Sequence, residues 1–157
     1  MPEQEVYPEL KLENQLCFPI YACSREITKM YQPFLDEIGV TYSQYLVLLV
    51  LWEHGQCTVK ELGEALYLDS GTLTPLLKRM QTAGLITRER STADERKVNI
   101  ALTEEGWQLR ERARNIPQSI LQHACLRVEE HNELLSLFNR LLQRVHQINS
   151  ERKETAK

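Results

Sequence analysis

Apolar and polar positions alternate with three different periods along this chain. Leu16, Ile20, Cys23, Ile27, Met30 and Phe34 are spaced alternately by four and three, which makes one stripe of a long helix. Thr41-Tyr-Ser-Gln44 reads as a capping box, and an almost wholly apolar run follows from Tyr45 to Trp52. A helix apolar on all sides belongs in a core, and Gly55 ends it. Thr58-Val-Lys-Glu61 is a second capping box, opening a short helix through about Tyr67. Asp69-Ser70 caps a third helix that reaches Ala83, with Gly84 as its stop. Pro75 forfeits a backbone hydrogen bond early in that helix and predicts irregular first turns. The period then falls to two: Val98, Ile100 and Leu102 alternate with Asn99, Ala101 and Thr103. Leu85 to Arg90 forms the other arm of a hairpin, joined to the first by the polar stretch 91–97. Helix resumes at Thr103-Glu104 and is broken near Pro117. The last helix carries Leu134, Phe138, Leu141, Val145 and Ile148, again alternating four and three, with Leu135 and Leu142 alongside. From residue 149 the chain is polar and is expected to fray.

The predicted class is mainly α with a small β-wing, a winged helix-turn-helix. Residues 1–157 form one domain, which 157 residues suffice to fill. Within it, 42–103 is the winged helix-turn-helix, 10–36 and 104–148 are dimerisation helices, and 149–157 is a disordered tail. A monomer needs one core-facing stripe on each terminal helix. A long seam at each end of a small domain is better explained by a partner chain, so an obligate homodimer is expected. No apolar run reaches the ~18 residues of a membrane span. The stretch 1–10 lacks the basic-then-apolar layout of a signal peptide. A cytoplasmic protein without membrane partners is the expectation.

Charge sharpens the picture. The chain carries a net charge of -3, which argues against coating nucleic acid by bulk charge but leaves room for a local patch. Residues 78–97 hold six basic side chains (Lys78, Arg79, Arg88, Arg90, Arg96, Lys97) against three acidic ones (Glu89, Asp94, Glu95), a net of +3. Each basic residue taken alone is an ordinary solvated charge. Their placement on the second helix and ribbon of a winged helix-turn-helix makes contact with duplex DNA the better reading. Ser70, Thr72 and Thr74 supply short hydroxyls at the start of the helix that would enter the major groove. Arg96, near the ribbon tip, suits a narrow minor groove. Asp94 is placed either to contact DNA or to orient an arginine of the ribbon.

Leu66-Tyr-Leu-Asp-Ser-Gly-Thr-Leu-Thr-Pro-Leu-Leu-Lys-Arg79, followed by Asp94-Glu-Arg96 and Leu102-Thr-Glu104, resembles the MarR family of repressors. Leu12-Glu-Asn-Gln-Leu-Cys-Phe18 narrows the resemblance to the organic hydroperoxide regulators, over about residues 10–148. The resemblance implies a homodimer on a pseudo-palindromic operator, with the helix and wing residues named above as contacts. It also implies that Cys17 is the peroxide-reactive thiol and that Tyr31 and Tyr42 hydrogen-bond its sulfur.

The residues agree with that assignment. Cys17 lies near the start of the first helix, where the positive dipole end favours a thiolate, and it is off the apolar stripe. Cys23 lies on the stripe and is expected to be packed and inert. Cys17, Tyr21, Ser24, Thr28 and Tyr31 make a second, more polar stripe. Tyr31 is fourteen residues beyond Cys17, roughly 21 Å along a straight helix. If the two meet, they meet across a dimer with antiparallel first helices. Otherwise Tyr31 and Tyr42 simply pack. Pro19 departs from the pattern expected of that helix and fits only if the helix starts near residues 16–18. Family members either trap the sulfenate with a small thiol or resolve it with a C-terminal cysteine. Cys125 falls near the region expected of the second scheme, whereas Cys57 sits in a turn and is incidental. The cysteine and histidine spacings argue against zinc, and no metal or cofactor is expected. In a reducing cytosol the thiols are expected to be free. Two other functions fit parts of the sequence: a MarR-type repressor answering a small aromatic ligand or a broader range of oxidants, and a thiol peroxidase. The peroxidase reading leaves the basic wing without a purpose.

Overall fold

A computed structural model describes residues 7–91, 94 and 96–155, with the backbone alone at 153 and 154. Two 3-10 turns, Pro8–Leu10 and Leu12–Asn14, precede α1 (Cys17–Ile38) and α2 (Tyr42–His54). Then come β1 (Gln56–Thr58), α3 (Val59–Leu66), α4 (Ser70–Thr82), β2 (Ile86–Arg90), β3 (Val98–Leu102) and α5 (Glu104–Ala113). α6 (Ile116–His123) and α7 (Val128–Thr155) complete the chain. The chain divides into two compact units, 1–116 and 117–157.

In the first unit both capping boxes form. The Thr41 hydroxyl accepts from Gln44 N while Gln44 Oε1 accepts from Thr41 N, and Thr58 and Glu61 do the same for α3. Each box satisfies helix-end donors that would otherwise have no partner. α2 supplies the middle of the core through Tyr45, Val47, Leu48, Leu51 and Trp52. The opposing surface comes from Leu62, Leu73, Leu77, Met80, Ile86 and Ile100. Burying each such side chain stabilises the fold by about 1.5–3 kcal/mol. The expectation that α2 is buried all round is corrected: Leu49 is exposed.

The sheet has three antiparallel strands in the order β1-β3-β2, not the two of a simple ribbon. β3 pairs with β2 from Ile86↔Leu102 to Arg90↔Val98, and with β1 at Cys57↔Ile100. Cys57 is therefore a buried strand residue rather than a turn residue. Pro75 does not disturb α4, which is regular from Ser70 to Thr82. Gly84 follows with φ +75° while Leu85 N donates to Met80 O and Gly84 N to Gln81 O. This is the left-handed helix end for which glycine carries no steric penalty.

In the second unit, α6 ends in the same hydrogen-bond pattern, Leu126 N to Leu121 O and Cys125 N to Gln122 O. The left-handed position there is held by Cys125, with φ 52°. Arg127 N donates to Glu130 Oε2 at the start of α7. α7 runs through Thr155, so the tail expected to be disordered from 149 is helical over 149–155, and residues 156 and 157 lie outside the described residues. Leu134, Leu135, Phe138, Leu142, Val145 and Ile148 are all exposed along it. No single described helix is long and apolar enough to cross a membrane.

Candidate DNA interface and thiol sensor

α4 has two faces with different chemistry. Leu73, Leu76, Leu77 and Met80 are buried, whereas Ser70, Thr72, Lys78 and Arg79 are exposed. Asp69 starts the helix by accepting from Thr72 N at 2.8 Å. That backbone hydrogen bond, with others around it, holds the Asp69 carboxyl below the usual carboxylate range. Thr74 is half-buried and its hydroxyl donates to Ser70 O at 2.7 Å, leaving its oxygen free to accept only.

The wing presents the remaining predicted contacts. Arg88 and Arg90 share one face of β2, two residues apart. Ser91 N donates to Lys97 O and Lys97 N to Asp94 O, which closes the wing turn. Thr92, Ala93 and Glu95 of that connection lie outside the described residues. Asp94 Oδ1 accepts from Arg96 N at 3.1 Å and from Arg96 Nε at 3.3 Å. The Arg96 side chain is 92% exposed and that of Asp94 33%. Asp94 thus stands behind Arg96 and aims it outward.

An open cleft of about 550 Å³ lies between α3, α4 and the wing, lined among others by Thr74, Arg88, Arg96, Lys97 and Lys60. Arg88 Nε is buried in it without a hydrogen-bond partner among the described residues. Glu61 and Glu64 also line the cleft, beside the four cations Lys60, Arg88, Arg96 and Lys97. Lys60, paired with Glu64 at 3.7 Å, was not singled out from the sequence. Its signal was weak, because an i,i+4 ion pair reads as an ordinary solvated helix face.

Cys17 is the first residue of α1 and is exposed. The residues before it are tied down: Asn14 Nδ2 donates to Pro8 O at 2.7 Å and Gln15 Nε2 to Glu9 O at 2.6 Å. This gives the Leu12-Glu-Asn-Gln segment a physical purpose, anchoring the chain that enters α1. Pro19 falls at the third helical position, where no intrahelical bond is lost, so it fits. Farther along, α1 carries Tyr31 against Tyr42, the first residue of α2, with ring centroids 5.1 Å apart. Tyr45 joins them at 5.9 Å from Tyr31. Burial raises the phenols of Tyr31, Tyr42 and Tyr45 above the ordinary tyrosine range, that of Tyr45 to about 12. All three are therefore neutral hydrogen-bonding groups at physiological pH. α1 is unbroken between Cys17 and Tyr31, so roughly 21 Å separates them in one chain.

The other cysteines differ in kind. Burial, then the Glu61 charge, pushes the Cys57 thiol up to about 11, which makes it unreactive. Cys23, expected to be packed, is exposed in the single chain. Cys125 is exposed at its left-handed helix end.

A family model described as transcriptional regulator SarA/Rot matches residues 29–112. The organic hydroperoxide resistance transcriptional regulator of Bacillus subtilis (strain 168) is 56% identical over 143 residues, covering 91% of this chain and 97% of that protein. The chain belongs to the organic hydroperoxide regulators of the MarR family. The family is one of transcriptional regulators, which sets the chain apart from the enzymes. Among solved structures of MarR-type regulators, reduced AbfR bound to DNA is 40% identical, covering 89% of this chain and 96% of that one, with a TM-score of 0.76. Disulfide-formed AbfR is also 40% identical, covering 89% and 93%, with a TM-score of 0.57. AbfR is a protein of Staphylococcus epidermidis. The winged-helix fold of this MarR-family chain, mostly helical with a small antiparallel sheet, is the one the periodicities predicted. Tyr45, which joins the Tyr31–Tyr42 pair, is the residue that sequence reasoning overlooked, because in an all-apolar run it looks like any other core position.

Proposed function

We propose that the chain is a homodimeric cytoplasmic repressor that holds a pseudo-palindromic operator when reduced and releases it when an organic hydroperoxide oxidises Cys17. The observation that carries this reading is the layout of α1, with an exposed thiol at its first position and the Tyr31–Tyr42 pair far along the same unbroken helix. A second, antiparallel copy of α1 would bring one chain's thiol to the other's tyrosines, completing two sensors at once. The open apolar stripe of α7 supports such a dimer, and the names of the Bacillus subtilis relative and of reduced and disulfide-formed AbfR support the chemistry.

In the proposed mechanism the Cys17 sulfur attacks one oxygen of the hydroperoxide. The O–O bond breaks, the alcohol leaves with a proton, and the sulfur is oxidised by two electrons to a sulfenic acid. The tyrosine hydroxyls lose their original acceptor. The thiol of Cys125 of the partner subunit then attacks the sulfenic sulfur, water departs and a disulfide forms. Cys125 is exposed, as a resolving thiol must be. The new bond shifts the subunits, and the α4 helices lose the spacing that fits two half-sites. In the bound state Ser70, Thr72, Thr74, Lys78 and Arg79 face the major groove. Arg88, Arg90 and Lys97 hold phosphates, and Arg96, aimed by Asp94, enters the minor groove.

The test uses an operator duplex selected from a random-sequence pool by the reduced protein. Cumene hydroperoxide should release the wild type and leave a Cys17→Ser variant bound. Release that persists in Cys17→Ser overturns the proposal. A non-reducing gel of oxidised protein should show a covalent dimer that is absent in Cys125→Ser.

A further inference from the structure

We propose that Tyr45 and Trp52 are positioning residues that transmit the state of the sensor tyrosines to the wing and to the end of the recognition helix; the inference rests on Cys17 being the sensor. The contacts run without a gap through the first unit. Tyr31 of α1 meets Tyr45 of α2, and the Tyr45 ring lies 6.2 Å from that of Trp52, edge-on. Tyr45 is 2% exposed and Trp52 8%. The Trp52 indole Nε1 donates to the carbonyl of Gly106 on α5 at 2.9 Å, a buried bond joining residues 54 apart in sequence.

Gly106 is where this path reaches the DNA-reading elements. A Cβ at Gly106 would collide with the Leu85 carbonyl oxygen, so α5 lies directly against the backbone at Leu85. Leu85 N donates to Met80 O at the end of α4, and Leu85 O accepts from Thr103 N at the start of α5. The Thr103 hydroxyl donates to Gly84 O at 2.6 Å. Leu85 leads straight into β2, the first strand of the wing. One backbone position thus joins the recognition helix, the wing and α5, and the indole of Trp52 is bonded at its back.

Packing makes such a path mechanical. A close-packed interior rearranges between discrete arrangements rather than deforming smoothly. When Tyr31 changes its hydrogen bonding, Tyr45 has no solvent to move into and can only turn against Trp52. Trp52 has one donor and one acceptor for it, and losing that bond would leave a buried N–H without a partner. Sulfur chemistry at α1 is thereby converted into a choice between two settings of the Gly84–Leu85 corner. If release came from subunit rotation alone, Trp52 would be a bystander.

Two measurements on the full-length protein decide the matter. In Trp52→Phe the ring volume is largely kept and the donor removed. Mass spectrometry should find Cys17 oxidised as in the wild type and reduced protein should bind its operator normally, but the loss of affinity on oxidation should shrink by about tenfold or more. Tyr45→Leu should behave alike, whereas Tyr45→Phe, which keeps the ring, should restore coupling. The second measurement leaves the path intact. In a Trp107→Phe background Trp52 is the remaining indole of the chain, and its emission should change with peroxide in step with DNA release and stay constant in Cys17→Ser. Full release by oxidised Trp52→Phe overturns the proposal, as does an unchanged Trp52 emission while DNA leaves. Oxidation and release in the complete absence of Cys17 would instead overturn the sensor reading on which the inference stands.

Discussion

Leu48 on α2 and Leu142 on α7 are the same residue in two leucine-rich helices, yet Leu48 is 0% exposed and Leu142 43%. α2 is enclosed by neighbours from its own chain: Leu73 and Leu77 on α4, Leu62 on α3 and Ile100 on β3 share its core. The apolar side chains of α7, by contrast, stand in solvent along the length of the helix. The difference teaches that apolar leucines can serve two purposes. Where the chain supplies the opposing surface, they make a domain stable by themselves. Where it does not, they are left open for the second chain of the proposed dimer.

The largest predicted effect breaks the open half. Phe138→Glu places a charge in the proposed seam and should turn the dimer into a monomer, weakening operator binding by about a hundredfold or more. Sedimentation velocity and fluorescence anisotropy read the two effects together. A Phe138→Glu protein that stays dimeric would put the seam elsewhere. The closed half is broken by Leu77→Ala, which should lower the free energy of unfolding by about 2–5 kcal/mol in urea titrations. Arg96→Ala should leave both halves folded and cost about 1–3 kcal/mol of operator affinity. Asp94→Ala should cost less, because it frees Arg96 rather than removing it.

Acid should expose another contrast within the closed half. The backbone bond from Thr72 lowers the Asp69 carboxyl, and that from Thr58 lowers Glu61. Both folded-state values lie below the unfolded ones of about 3.9 and 4.3. The stabilisation is therefore present at neutral pH and lost as pH falls through about 4 and below. Thermal melts followed by circular dichroism from pH 7 to pH 3 should show this decline, and Asp69→Asn should flatten part of it. The smallest effect is expected at Cys125. Glycine is the easier residue at a left-handed helix end, so Cys125→Gly should raise stability by about 1 kcal/mol or less. The same variant should lose the covalent dimer.

Much of the reader was legible because its signals are local. The boxes at Thr41–Gln44 and Thr58–Glu61 and the stop at Gly84 each act within a few residues, and each appears where the sequence places it. Part of what was missed is non-local. β1 is three residues long and exists because Cys57 pairs with Ile100, 43 positions away. Pro75 was read as a disturbance, yet a helix held by four buried side chains and a capped start tolerates one absent hydrogen bond. The expected fraying beyond 149 judged polarity alone, whereas Gln147 and Glu151 bond across one turn of a helix that continues to Thr155. Of the proposed sensor, Cys17, Tyr31 and Tyr42 were named from the sequence. Tyr45 was not, since nothing in an apolar run distinguishes the tyrosine that will touch another.

The sequence by itself determined the capped helix starts, the Gly84 stop, the wing, the placement of positive charge and the distance along α1 between Cys17 and Tyr31. These depend on periodicity, on capping and on the fixed rise of a helix, all properties of short segments. Only the tertiary structure decided that Asp94 backs Arg96, that Arg88 Nε is buried without a hydrogen-bond partner among the described residues, and that three tyrosines, Trp52 and Gly106 stand in one line of contact. Those facts require residues far apart in the chain to be packed together, and packing is set by the shape of the whole core rather than by the preferences of any one part of it.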